Sequence, residues 1–178
     1  GINGQGRSAV IRTRGNRFGH LVLRGGGGRP NFDTVSISLA EQALAKAGLA
    51  DLVFVGPDNR EGAYLAGKEL ARKLGKGGKV FIIEGNPGAD NAKMRKAGFE
   101  KAAKEFGLQV LVSRTAHWET EEANTLVTNL LTQHPDVQGI MAANDSMALG
   151  VVKALDAAGR SGKVLVVGFD NIPAVQKL

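Results

Sequence analysis

Five side chains, set far apart along this sequence, have the types that grip a small polyhydroxylated molecule: Asn91, Arg95, Trp118, Asn144 and Asp170. They supply a guanidinium with five donors, a carboxylate acceptor, amides that both donate and accept, and one flat indole. A sugar hydroxyl also donates and accepts, and the C–H face of a sugar ring packs on an indole. A carboxylate that bonds two hydroxyls makes charge-assisted bonds, the stronger kind. Each residue has a structural reading too. Asn144-Asp145 and Asn91 fit helix caps. Asp170 fits a cap or an ion pair with Arg95, Arg95 fits a surface charge, and Trp118 fits a cover for an apolar edge. Convergence is what favours a ligand site: separate loops would have to bring all of these groups to one crevice.

The elements that must bring them together can be read from apolar spacing. Gly139–Ala142 and Val164–Val167 are short apolar runs, ending near Asn144 and Asp170, with a helical pattern over Ser146–Gly159 between them. Upstream, Glu61–Leu74 reads as a helix, Lys79–Glu84 as a buried strand, and Asn91–Phe106 as a helix stopped by Gly107. Gln109–Ser113 reads as a strand, Glu119–His134 as a helix, and a last helix is expected to begin near Ala174. Such alternation predicts the α/β class, a doubly wound parallel sheet with helices on both faces. The nearly all-apolar strands suit a sheet covered on both sides. With right-handed crossovers the expected strand order is 2-1-3-4, counting Lys79–Glu84 as strand 1. Ligands bind where such an order reverses, at the C-terminal strand ends. Four loops lie there: Gly85–Asn91, Arg114–Trp118, Ala143–Asp145 and Gly168–Pro173.

Composition narrows the function classes. A length of 178 residues suggests one domain, or one complete domain with part of another. No apolar run reaches the roughly 18 residues of a membrane span, and no stretch has the build of a signal peptide. The chain has no cysteine, which excludes disulfides and thiol chemistry. The net charge of +6 is unevenly spread. Residues 1–30 hold six of the 23 basic side chains, all Arg, and no acid; the rest of the chain holds 17 of each sign. The basic character therefore belongs to a Gly/Arg-rich start with no sustained apolar period. That start reads as a tail or an out-of-frame stretch in preference to an RNA-binding arm, since it carries one aromatic and no repeat. The stretch 31–48 includes a helical pattern in SLAEQALAKAG (38–48), and a short strand at Leu52–Val55 follows.

Catalytic and cofactor signals are weak. Glu84-Gly-Asn-Pro-Gly88 is not a dinucleotide loop, and no phosphate-cradling G-x-x-x-x-G-K-[ST] occurs. His20, His117 and His134 lack metal-ligand spacing. No G-x-S-x-G elbow is present, and no histidine is placed to activate Ser146. The expectation is a binding protein without catalytic residues, metal or cofactor.

The combination N-x-x-x-R-x-x-G-F (91–99), HPD (134–136), A-N-D-x-M-A-L-G (143–150) and V-G-F-D (167–170) is specific. Together with GPDNREGAYLAGKEL (56–70), it resembles the substrate-binding proteins of sugar ABC importers, of the ribose/galactose type, whose fold is that of type I periplasmic binding proteins. The resemblance implies that Arg95, Asn144 and Asp170 bind sugar hydroxyls, that Trp118 stacks on the ring, and that Asn91 adds a polar contact. A tryptophan at that position is more like hexose-binding members, which tilts the expectation toward a pyranose. The implied partners are a monosaccharide and a membrane permease, with no nucleic acid; the implied state is a monomer in the periplasm or cell envelope. Such proteins have two similar lobes, and this chain matches one. The expected organisation is 1–50 as a poorly defined stretch in place of the N-terminal lobe, and 51–178 as the C-terminal lobe, truncated before its return crossings. Closure around a ligand needs two bodies, so a fragment is expected to bind sugar weakly or not at all. The competing reading is the effector domain of a lactose-repressor-type protein, which needs a helix-turn-helix that Gly1–Pro30 does not suggest. A binder serving a chemoreceptor is a third, inseparable by sequence from transport.

Overall fold

The computed structural model describes residues 7–11, 19–23 and 57–177, the first two segments as backbone only. The expected helix within 31–48 and strand Leu52–Val55 lie outside the described residues. The chain forms two compact units, 1–58 and 59–178. In the first, β1 (Arg7–Ile11) and β2 (Gly19–Leu23) pair antiparallel, with Arg7 opposite Leu23. The sequence pattern does not predict these strands, which lie in the Gly/Arg-rich start where no sustained apolar period runs.

The second unit alternates as expected. Its elements are α1 (Asn59–Leu74), β3 (Lys79–Glu84), α2 (Asp90–Phe106), β4 (Gln109–Thr115), α3 (Thr120–Gln133), β5 (Gly139–Ala142), α4 (Asp145–Ala157) and β6 (Leu165–Val167). All four strands are parallel, in the order β4-β3-β5-β6. This is the 2-1-3-4 order predicted from the pattern. The chain steps one way from β3 to β4 and the other way afterwards. Right-handed crossovers therefore set α2 on one face and α3 and α4 on the other. Helix α1 packs beside α2, and α3 beside α4.

Sequence sets the core. Val80, Phe81, Ile82 and Ile83 of β3 are wholly buried, as are Ile140, Met141 and Ala142 of β5. Each large apolar side chain among them contributes about 1.5–3 kcal/mol by leaving water. β4 lies on the edge and is only half covered. Its register shifts between Val80 and Phe81, where one extra residue of β4 is taken up as a bulge. Helix α2 buries Ala92, Gly98, Phe99, Ala102 and Ala103, and within the same series it buries Arg95. A charge on the core-facing stripe of a helix requires partners.

Boundaries differ from the sequence reading in small ways. β4 runs on to Thr115, so the loop after it is shorter than Arg114–Trp118. Asp145 belongs to α4 and is not part of the preceding loop. The expected terminal helix is a 3-10 turn at Val175–Lys177. Among the described residues no helix is long and apolar enough to cross a membrane.

Candidate functional site

The C-terminal ends of β3, β4, β5 and β6 open onto one rim, and the loops leaving them carry Gly85, Trp118, Asn144 and Asp170 in turn. Arg95 approaches the rim from α2.

The turn after β4 presents Trp118. His117 and Trp118 both have positive φ, 48° and 73°, a conformation that side chains with a Cβ seldom adopt. Each such residue costs on the order of 1–3 kcal/mol and persists only where its surroundings hold it. Here Thr115 Oγ1 donates to the Gly85 carbonyl at 2.7 Å and accepts the His117 N–H at 3.1 Å. His117 Nδ1 meets Glu122 Oε1 at 2.8 Å, and the Glu119 N–H reaches the Ala116 carbonyl at 2.7 Å. The indole then lies against Gly85, just past the end of β3. A Cβ added to Gly85 would fall 2.2 Å from its ring, so only glycine fits there.

Arg95 is the fixed centre. Its Nε donates to Asn59 Oδ1 at 2.9 Å, its Nη1 to the Ala143 carbonyl at 2.7 Å, and its Nη2 lies 3.0 Å from Asp170 Oδ1. The guanidinium stacks 3.7 Å from the centroid of Phe169 and sits 5.6 Å from that of Trp118. Burial pulls its pKa down, and Asp170 and Asp145 pull it back up. The contacts use three of five guanidinium N–H groups.

Asn144 caps α4: its Oδ1 accepts the Met147 N–H at 2.8 Å, while its Nδ2 points to the Trp118 carbonyl at 3.5 Å. The capping role is therefore real, and it ties the β5 loop to the β4 turn. Asp170 is the more open member, with 37% of its side chain exposed. It too has a positive φ, 99°, as does Asn171 at 60°. Burial pushes the Asp170 carboxyl above the ordinary carboxylate range, against the pull of Arg95.

The rim thus brings together Arg95, Trp118, Asn144 and Asp170. Asn91 stands one turn before Arg95, on the same face of α2. Its Oδ1 accepts the neighbouring Ala92 N–H at 3.0 Å, and the N-cap of α2 is Ala89, so Asn91 is not the cap that the sequence suggests. Among the described residues no side-chain hydrogen bond joins Asn91 to the other four.

Three residues absent from the sequence-based set belong to the rim. Asn59 anchors Arg95 and Phe169 stacks on it. Asp145, 3% exposed, accepts the Ile172 N–H at 2.8 Å with Oδ2. Burial raises its pKa, and backbone N–H groups and Arg95 partly offset this. Of the two carboxylates, Asp145 is the less exposed and Asp170 the one that keeps access to solvent. The position of Asp145 directly after Asn144 was the available signal. Among the described residues no three His, Asp or Glu side chains could together hold a metal ion.

The chain is also similar to known proteins over most of its length. The profile of the family described as "Periplasmic binding protein domain" matches residues 38–178. The D-ribose/D-allose-binding protein of Pseudomonas aeruginosa is 47% identical over 125 residues, covering 70% of this chain and 39% of that protein. The ribose import binding protein of Escherichia coli is 42% identical over 123 residues, covering 69% of this chain and 41% of that protein. The chain thus spans about two fifths of the length of these relatives. Among solved structures, an ABC transporter periplasmic solute-binding protein from Actinobacillus succinogenes with bound D-allose superposes with a TM-score of 0.69. It is 47% identical, over 76% of this chain and 48% of that one.

Proposed function

Because the chain belongs to the periplasmic binding protein domain family, we propose that residues 59–178 form a sugar-contacting lobe. The whole protein would be the substrate-binding component of a carbohydrate ABC importer. It would take a monosaccharide at the C-terminal strand ends, in the periplasm or cell envelope, and deliver it to a membrane permease. In this reading the free N–H groups of Arg95 donate to ring or hydroxyl oxygens and the open Asp170 carboxylate accepts from two hydroxyls. Asn144 adds a donor, Trp118 takes the apolar ring face, and Asn91 reaches in from one turn away. The set binds and performs no chemistry.

One observation carries the proposal. A nearly buried guanidinium is locked by Asn59, the Ala143 carbonyl and Phe169, and it meets a carboxylate that is still open to solvent. A purely structural ion pair has no need to leave its acceptor exposed. The relatives named for D-ribose and D-allose point to aldoses as the class, and the indole favours a pyranose.

Trp118 is the only tryptophan, so its fluorescence reports the rim directly. Because one lobe alone is expected to hold sugar weakly, the titration is carried to high concentrations of D-allose and D-ribose, where it should give a shallow change that Arg95→Ala abolishes. No change with any aldose, or an unaltered change in Arg95→Ala, would contradict the proposal.

A further inference from the structure

The turn that carries Phe169 and Asp170 is unusual. Asp170 and Asn171 are consecutive non-glycine residues with positive φ, 99° and 60°. Their strain must be offset by whatever holds the turn. The only buried acidic side chain facing it among the described residues is Asp145. Its Oδ2 takes the Ile172 N–H at 2.8 Å, and the Phe169 and Asn171 N–H groups also act on the carboxylate. On the other side the backbone presses close: a Cβ on Gly168 would sit 2.3 Å from Asp145 Oδ1. The influence is mutual, since the Asp145 backbone N–H at the head of α4 favours the charged form of the Asp170 carboxyl, as the helix dipole there also does.

Helix capping does not explain this carboxylate, because Asn144 already caps α4 through the Met147 N–H. Apolar packing does not explain it either, because no hydrocarbon accepts N–H bonds. We propose that Asp145 is a positioning residue: it meets no ligand itself, but by taking the Ile172 N–H it holds the 169–172 turn so that Asp170 faces Arg95 and Phe169 stacks on the guanidinium. The inference deepens the carbohydrate reading and rests on it for its binding arm alone.

The test has two arms on the full chain. In the first, amide hydrogen exchange is followed by NMR without sugar. Asp145→Asn keeps the shape and one acceptor oxygen. It should speed exchange at Asn171 and Ile172 by about tenfold or more, with the amides of β3 and β5 unchanged. Gly168→Ala, which crowds the same carboxylate from the other side, should give the same local pattern. Unchanged protection at Ile172 overturns the proposal, and so does a uniform loss that includes the strands, because that marks a general packing role. In the second arm, sugar affinity is measured in a double-mutant cycle. A loss of about tenfold from Asp145→Asn should shrink to about twofold or less when Asp170 is already Asn. Fully additive losses overturn the proposal. If the wild-type chain binds no sugar, the carbohydrate reading fails, and the exchange arm still decides the role of Asp145.

Discussion

Arg95 Nη2 and Asp170 Oδ1 lie 3.0 Å apart, but the two side chains are unequally hidden: 9% of the arginine side chain is exposed against 37% of the aspartate. The guanidinium is part of the framework, and the carboxylate is the accessible half of the pair. Removing one partner of such a pair leaves the other with a desolvation cost that nothing offsets.

Arg95→Ala should therefore destabilise the second unit by about 1.5–3 kcal/mol, the scale for lost hydrogen bonds to a charge, moderated because Asp170 keeps solvent access. Arg95→Lys should recover little, since an ammonium cannot reproduce the planar fork or the stack on Phe169. Urea unfolding of the three proteins checks this; equal midpoints for wild type and Arg95→Ala would contradict it.

Asn144 carries a cap and a proposed ligand contact, and these can be separated. Asn144→Ala should cost about 1 kcal/mol from the lost bond to the Met147 N–H. Asn144→Ser keeps a capping hydroxyl, so it should restore stability and not sugar affinity. If Asn144→Ser binds sugar like wild type, the amide is a cap alone.

Gly85 is the seat of the indole. Gly85→Ala drives a methyl to within 2.2 Å of the Trp118 ring as it now lies. Overpacking of that kind costs about 1–3 kcal/mol. The expected result is a shifted Trp118 emission together with weakened sugar binding. An unaltered emission spectrum would show that the indole does not rest on this glycine.

Asp145 gives the stability a pH dependence of defined sign. Its native pKa is raised above the ordinary 3.8, because burial penalises the anion. Between the ordinary and the raised value the native state holds more protons than the unfolded state, so the stability Asp145 contributes falls as pH rises through that window. Relative to Asp145→Asn, the wild-type melting temperature should be highest at the acid end, decline as pH rises through the raised value, and then level off. A wild-type advantage that grows with pH over the same window would contradict the assignment.

Much of this architecture is legible in the sequence because its signals are local. KVFIIE and GIMA are continuous apolar runs that stop at polar residues, and the helices between them keep their period. From that alternation follow the parallel sheet, its reversal, and the meeting of Arg95, Trp118, Asn144 and Asp170 at one rim. What sequence hides is the division of labour between neighbours. Asn59 looks like turn chemistry in GPDN, because nothing local shows that its amide oxygen will meet a guanidinium from the next helix. Asn144 and Asp145 look like one capping pair, and only the fold sends the second side chain to the 168–172 turn. The positive φ values at His117, Trp118, Asp170 and Asn171 carry no glycine to mark them. At Asp170 and Asn171 the turn is held from Asp145, a distant segment that no local pattern reveals.

The central claim is that a monosaccharide meets Arg95, Trp118 and Asp170 together. The most direct measurement is an NMR titration of the isotope-labelled chain with D-allose and D-ribose, following the Arg95 Nε–H, the Trp118 indole N–H and the Asp170 carboxyl carbon. The account predicts that the three signals shift together and fit one dissociation constant for a given sugar. Saturable shifts confined to another surface, or none at these three groups with either sugar, would contradict it.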